Sequence, residues 1–407
     1  MTKQAEHGHG RRVLMLLSNC FDPDPRVHAE ARALADAGWQ VTILGWDRDR
    51  KVPNRELVDG IAVERITIRS THGRGVVQGL ILPLVQLGMI ARGMRKRFDV
   101  VHAHDFDTLA AGYTLSRLRR KPLVYDAHED YAGMLHGNIP AFLEKWIRRA
   151  ESFFLRRLDL LITVGEILRD DLARRGARRS VVVGNWKDLG QFRLGPSART
   201  EIRAQLGIPG GALVIVFIAN LGRERHIREL IDAVIKHPDI HLIIGGTGPM
   251  AEHVRFAARE ALNIHFLGFV PPKLIGRYTN AADILFYAFD LSSPNARYSA
   301  PNKLFEALAA GCALITGDFG EIGKIVRDVR CGVILREFSE DSISHALNSC
   351  SDLQTLDLWK RRAAQAGQET YNWGRARSIL LSAYESLAQS DSVSVVRSYS
   401  KQKVVVP

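Results

Sequence analysis

Residues 13–46 read VLMLLSNCFDPDPRVHAEARALADAGWQVTILGW. VLMLLS (13–18) is a short apolar run of the kind that a strand buried on both faces needs. NCFDPDP is a turn, and RVHAEARALADAG carries a helical pattern that ends at Gly38. VTILGW (41–46) is a second apolar run. Strand, turn, helix and strand in that order make the repeating unit of a doubly wound parallel sheet.

The pattern continues outward. IAVERITI (61–68), DVVHAH (99–104), PLVYDAH (122–128), LDLLITV (158–164) and SVVVGN (180–185) read as further strands with helices between them. GPSARTEIRAQLGIPGG (195–211) gathers Pro, Gly and polar residues and reads as a linker region. The alternation then restarts with ALVIVFIAN (212–220), DIHLIIGG (239–246), NIHFLGF (263–269), ADILFYA (282–288), CALITG (312–317) and CGVIL (331–335). The fold class is therefore α/β, with two Rossmann-like doubly wound domains facing a cleft. We expect an N-terminal domain over 1–194, a C-terminal domain over 195–370, a helix over 371–388 that packs back on the first domain, and an unpacked tail over 389–407. Ligands of open α/β sheets bind at the carboxyl ends of the strands, so the loops there should carry the chemistry.

The totals narrow the function. A chain of 407 residues, 46% apolar and 25% charged, is a folded protein with room for two or three domains. Its net charge of +12 is uneven, since residues 1–195 hold 32 Lys+Arg against 23 Asp+Glu. A basic half suits a membrane surface, a nucleic acid or a phosphorylated substrate, and equally a plain basic surface. Cys20, Cys312, Cys331 and Cys350 are far apart and form no C-x-x-C pair, which fits a reduced, cytoplasmic chain and not cysteine zinc chemistry. The apolar run after Arg11 and Arg12 is too short for a signal peptide and has no cleavage site. HGHG (7–10) reads as a tail, or as a weak metal-binding stretch. No run reaches the ~20 apolar residues of a membrane span. GLILPLVQLGMIARGMRKR (79–97) is broken by Pro83 and ends in a basic cluster, so it is either a core helix or a peripheral membrane face.

Three loops stand out in the second half. GGTGP (245–249) lets backbone approach a ligand, although it is no full dinucleotide fingerprint. NLGRERHIREL (220–230) puts Arg223, Arg225 and Arg228 at a helix start, where they oppose the macrodipole unless an anion is near. YSAPNKLFEALAAG (298–311) places Pro301 before a helix that Ser299 or Asn302 could cap, with Lys303 and Glu306 on one face. The plain reading of that pair is a surface ion pair, worth little. The functional reading is a cation for phosphate and a carboxylate for sugar hydroxyls.

These segments resemble a family. LSNCFDPDPRVHAEARALADAGWQVTILG, DVVHAHDF, YDAHED, GGTGP, LGFVP and SAPNKLFEALAAG together look like a GT-B glycosyltransferase of the large retaining family-4 type, over about 12–388. The resemblance implies a nucleotide-diphosphate sugar as co-substrate, no other cofactor, and the donor in the second domain. It implies Arg225 and Lys303 on the diphosphate, Glu306 on the ribose, and Gly246, Gly248 and Asn302 nearby. Asn220 stands where the family has its first Arg, and Arg223 could compensate. His226 stands where the family has Gly, and Tyr298 where it has the Glu that contacts the sugar. In the first domain it implies that His128 reaches the donor sugar. His104, Asp105 and Glu129 at neighbouring strand ends, and Asp22, Asp24 and Arg26 in the DPDPR turn, lie on the acceptor side. His102 and Asp126 accompany them.

The expected reaction is transfer to a glycan or lipid-linked acceptor in cell-surface polysaccharide biosynthesis, with retention. DPD (22–24), DRD (47–49) and DFD (105–107) match a metal-binding D-x-D by letters, but none lies in the donor domain, so we expect no metal. A peripheral contact with an anionic membrane at its inner face is a further expectation, whereas nucleic-acid binding is not, because no recognition motif occurs and the basic residues lack interleaved aromatics. Two rival readings stay open: a sugar-nucleotide epimerase on the same architecture, and a catalytically silent nucleotide-sugar-binding scaffold.

Overall fold

The computed structural model describes residues 10–22, 24–70, 75–290 and 294–400, with the side chains of 75–80, 388 and 390–400 excepted. The chain divides into two compact units, Met1–Val183 with Arg377–Pro407, and Gly184–Ala376. HGHG lies almost wholly outside the described residues.

In the first unit, eight strands form one sheet. They are β1 (Arg12–Leu16), β2 (Gln40–Trp46), β3 (Arg55–Val58), β4 (Ile61–Ile66), β5 (Val100–His104), β6 (Leu123–Ala127), β7 (Leu160–Thr163) and β8 (Ser180–Val182). Their order is β3-β4-β2-β1-β5-β6-β7-β8. All neighbours are parallel except β3 and β4. β3 was not foreseen. It pairs back on β4 through Asp59 and Gly60, both at positive φ (49° and 80°), with Val58 opposite Ile61. Asp-Gly is the dipeptide that a two-residue hairpin of this hand requires, so the signal was present.

β1 sits near the middle, where Val13 to Leu17 are almost fully buried. The chain leaves β1 for β2 on one side and later returns to β5 on the other, so the β1–β5 boundary is the topological switch point. The helix that follows β1, Pro25–Asp36, starts where the sequence dictates. Pro25 occupies its first turn, and the Asp24 carboxylate accepts from the backbone N–H of Arg26 and Val27.

The second unit repeats the scheme with six parallel strands. β9 (Leu213–Ile218), β10 (Ile240–Gly245), β11 (Ile264–Phe266), β12 (Ile284–Tyr287), β13 (Ala313–Gly317) and β14 (Gly332–Leu335) are ordered β11-β10-β9-β12-β13-β14. Its switch point lies between β9 and β12.

Two segments differ from expectation. The 195–211 region is not open linker, because Gly195–Gln205 is helical with Pro196 in its first turn. The last helix, Trp373–Ser400, runs past residue 388, so the tail expected from 389 is helical up to Ser400. Residues 401–407 lie outside the described residues. From Arg377 onward this helix belongs to the first unit. Tyr384 packs edge-on against Trp39 at 5.2 Å, and its hydroxyl lies 2.8 Å from His102 Nδ1.

Candidate active site

The first unit gathers its chemistry at the carboxyl ends of β5 and β6 and the first turn of the Pro25 helix. Asp126, the fourth residue of β6, is fully buried. Arg26 grips it with two hydrogen bonds, Nε to Oδ2 at 3.0 Å and Nη2 to Oδ1 at 2.7 Å, and donates a third to the Val183 carbonyl at 2.7 Å. Glu30, one helical turn beyond Arg26 and equally buried, lies 3.1 Å from Arg26 Nη2. On the other side of Asp126, His128 Nε2 lies 2.9 Å from Oδ2 and His104 Nδ1 3.3 Å from the same oxygen.

Asp105 completes the cluster. Its Oδ2 is 3.1 Å from His128 Nδ1, and its Oδ1 accepts from the His128 backbone N–H at 3.1 Å. Asp105 has φ 59° and ψ 166°, a region that is nearly glycine-only. The strained backbone and the two contacts belong together, since this conformation aims the carboxylate at His128.

These contacts set the charges. Burial works against an ion at His128, but the carboxylates of Asp105 and Asp126 hold its pKa well above the ordinary histidine value. Burial likewise opposes Asp126, yet Arg26 and His128 keep its carboxyl well below the usual range. His102 and His104 are pushed down by burial, with neighbouring imidazoles adding to the effect. Burial, and next Asp126, push Glu30 up to about 8. At neutral pH the cluster thus holds Arg26⁺, His128⁺, Asp105⁻ and Asp126⁻ around a neutral Glu30. His128 is a fixed imidazolium with both ring nitrogens facing carboxylates, and its side chain is 21% exposed.

Glu30, His102, His104 and Asp126 each bring one ligating atom within 4.8 Å of the others. A divalent ion there would compete with Arg26, a permanent cation already lying between the two carboxylates. We therefore assign no metal to them.

The other residues singled out in this unit divide by role. Asp24 is committed to capping the helix. Asp22 is exposed and takes no part in the network, and Glu129 is half-buried beside His128. Asp47 accepts backbone N–H groups of Asp49, Arg50 and Val52 in a turn, so each D-x-D has a carboxylate with an internal task. Glu30 was missed. Its signal was Arg26 and Glu30 at i,i+4 on a helix face that otherwise buries Val27, Ala31 and Leu34.

In the second unit the loops after β9 and β12 flank the switch point. Arg225 donates from Nη1 to the Tyr287 hydroxyl at 2.7 Å and lies over the Tyr287 and Phe289 rings, 5.2 and 4.7 Å from their centroids. Such a guanidinium is oriented in advance. Asn220 and Arg223 are exposed. His226, where glycine was expected, takes the left-handed conformation glycine would take, at φ 51°, and stacks on Phe338 at 4.7 Å.

Gly246 and Gly248 are at φ 140° and 149°. A Cβ on Gly246 would stand 1.8 Å from the Ala219 carbonyl oxygen, and one on Gly248 2.6 Å from that of Leu221. The two loops are laced by Leu221 N–H to Thr247 O at 2.9 Å and Met250 N–H to Leu221 O at 2.9 Å. The glycines serve this close approach directly.

The helix Asn302–Ala310 begins after Pro301, with no side-chain cap from Ser299 or Asn302. Lys303 Nζ donates to Glu306 Oε2 at 2.5 Å, and the two side chains are only 13% and 6% exposed. This is not the surface pair of the plain reading. Lys187, which the sequence did not single out, donates to Asn302 Oδ1 at 2.6 Å. Burial lowers its pKa, with Glu306 pulling the other way. The structure thus gathers Lys187, Asn302, Lys303 and Glu306 at one helix start. Tyr298 is buried just ahead of it.

Two doubly wound units, one with a buried acid–imidazolium cluster and the other with oriented cations beside a buried carboxylate, define a two-domain α/β group-transfer enzyme. Residues 26–191 match Glycosyltransferase Family 4 and residues 198–372 match Glycosyl transferases group 1. The chain belongs to the GT-B glycosyltransferases of the family-4 type and is a glycosyltransferase. Among curated proteins it is 24% identical to the glycogen synthase of Mycobacterium tuberculosis over 362 residues, 83% of this chain and 84% of that one. Among solved structures it is similar to the sucrose-phosphate synthase of Thermosynechococcus elongatus, with TM-score 0.76 and 17% identity over 93% of this chain and 100% of that one. It is also similar to Anabaena HepE in complex with UDP, with TM-score 0.69 and 16% identity over 94% and 100%.

Proposed function

We propose that this glycosyltransferase moves a sugar from a nucleotide-diphosphate sugar to a glycan or lipid-linked acceptor, with retention, without a metal, and at the cytoplasmic face of a membrane. The observation that carries the donor assignment is the buried Lys303–Glu306 pair beside Lys187 and Asn302. A carboxylate held there accepts from ribose hydroxyls, and the lysines and the ring-stacked Arg225 neutralise a diphosphate. That a structurally similar protein was solved with UDP supports a uridine donor. In this reading His128 serves the donor sugar, and Asp105 and Arg26 belong to the acceptor side. Departure and attack occur on one sugar face, and the leaving phosphate takes the acceptor proton. The charge of the diphosphate is met by arginine and lysine, so no step needs a D-x-D metal.

The test is a thermal-shift and transfer panel over nucleotide sugars, with Glu306→Ala alongside. A nucleotide should raise the melting temperature of the parent and not of the variant. Absence of any shift with every nucleotide would favour the scaffold, and a new sugar nucleotide formed from donor alone would favour the epimerase. Activity lost in EDTA and restored by manganese would refute the metal-free step. An inverted linkage by NMR would refute retention.

A further inference from the structure

Helix Ala141–Leu155 and the two residues after it carry an unusual outer face. Phe142, Trp146 and Phe153 are 72%, 59% and 43% exposed. Lys145, Arg149, Arg156 and Arg157 are exposed with them. At 100° per residue these seven positions fall within an arc of about 120°, and the stripe is about 22 Å long. It contains no acid. Glu144 turns toward His136, 3.1 Å away, and Glu151 is buried against Tyr125 and Arg175.

The cations behave differently inside and outside. Arg148 is bidentate to Asp130 at 3.0 and 2.7 Å, and Arg175 pairs with Glu151 at 2.6 Å. Lys145, Arg149 and Arg156 meet no carboxylate among the described residues. Arg157 lies over the Phe153 ring, 3.7 Å from its centroid. The expectation that the basic residues lack interleaved aromatics does not hold here, since KWIRRAESFFLRR (145–157) alternates the two.

The neighbouring helices extend the apolar content. The crossovers β4 to β5, β5 to β6 and β6 to β7 all run the same way along the sheet, so their helices share one face. Those helices pack side by side. Gly75–Gly93 contributes exposed Leu84 and Leu87, and Phe106–Arg119 contributes exposed Leu118.

We propose that this face docks on an anionic lipid bilayer, with the Ala141–Leu155 helix lying in the headgroup plane. Phe and Trp side chains flanked by unpaired Lys and Arg suit that interface, where apolar rings enter the acyl boundary and cations meet lipid phosphates. No helix among the described residues is long and apolar enough to cross a membrane, so the contact is peripheral. A second copy of this chain fits poorly, because a twofold contact would set the unpaired cations against themselves. The surface deepens the membrane part of the proposed function and is independent of transfer chemistry. A chain that binds vesicles yet transfers no sugar would uphold the surface and sink the transferase reading of the site.

The experiment is cosedimentation of the full chain with vesicles of phosphatidylcholine alone and of phosphatidylcholine mixed with phosphatidylglycerol. Binding is expected on the mixed vesicles only, and is expected to fall at about 1 M salt, where the screening length shrinks to ~3 Å. Lys145→Gln with Arg149→Gln should weaken it about 30-fold, given ~1 kcal/mol per basic residue at an anionic surface. Phe142→Ser with Trp146→Ser should also release the chain, while Lys145→Arg with Arg149→Lys should not, which separates charge from misfolding. Brominated lipid should quench the parent and quench Trp146→Phe less. Equal binding to both vesicle types, or binding unchanged in the Gln variant, would overturn the proposal. So would a dimer, or a single-stranded RNA complex, dissolved by the same substitutions in place of vesicle binding.

Discussion

Glu30→Gln tests the electrostatics of the first unit most directly. Glu30 is buried without a hydrogen bond on either oxygen, with the Arg26 guanidinium 3.1 Å from one of them. Burial, then Asp126, push its pKa from 4.5 up to about 8, against the pull of Arg26. Between those two values the folded chain keeps a proton that the unfolded chain has lost. Stability therefore falls as pH rises, by about 1.4 kcal/mol per pH unit. The contribution is fully present below pH 4.5 and lost above pH 8, and the interval is worth about 5 kcal/mol. Glutamine mimics the protonated form and cannot titrate. Native-state hydrogen exchange on peptides covering β5 and β6, corrected for intrinsic rates, reads the opening free energy of this unit alone. The parent should lose stability relative to Glu30→Gln between pH 5 and 8, and titrations remote from Glu30 cancel in the difference. Parallel curves for the two proteins would show that Glu30 is ionised in the folded chain and that the charge assignment is wrong.

Asp126→Asn leaves Arg26 and His128 as buried cations short of a partner and should cost about 3–5 kcal/mol, measured by the same exchange experiment at pH 7. Gly246→Ala forces a Cβ against the Ala219 carbonyl at a φ of 140° and should cost more than about 2 kcal/mol in the second unit, read as lost protection on β9 and β10. Glu306→Gln keeps the shape but accepts less strongly, and should weaken nucleotide binding about tenfold in a calorimetric titration. Tyr298→Glu, which restores the carboxylate of the family pattern at a buried position, should change the order of donor sugars in the transfer panel; an unchanged order would remove Tyr298 from donor choice.

The sheets were legible because most parallel strands are apolar runs that burial on both faces demands, while β4 shows the alternation of a strand buried on one face. All seven strands expected in the first half and all six in the second are present. β3 escaped because RELV is half-exposed and lacks that run, leaving only Asp59-Gly60 to betray it. The site was legible as residue types at strand ends, and not as a network. Nothing local tells that Arg26 turns inward to Asp126, 100 residues away, or that Lys187 reaches Asn302 from 115 residues away. Such pairings depend on sheet order, which sequence patterns constrain only through chain connectivity. The 195–205 helix was hidden by Gly195 and Pro196, residues that begin helices as readily as they interrupt them.

Backbone strain marks the same places independently. Among the described residues, seven non-glycine residues have positive φ. Arg120 and Arg330 end helices, and Asp59 makes the hairpin turn, where left-handed residues are routine. Three of the others, Phe21, Asp105 and His226, follow β1, β5 and β9, strands that border the two switch points. Each costs of the order of 1–3 kcal/mol where glycine would relieve it, and each is held by specific contacts. The Phe21 N–H donates to Asn19 Oδ1 at 2.9 Å, Asp105 is tied to His128, and His226 is stacked on Phe338. Packing alone would select glycine at these turns. A side chain that tolerates the strain, and at Asp105 uses it to orient an imidazolium, is the pattern expected where loop geometry serves the reaction.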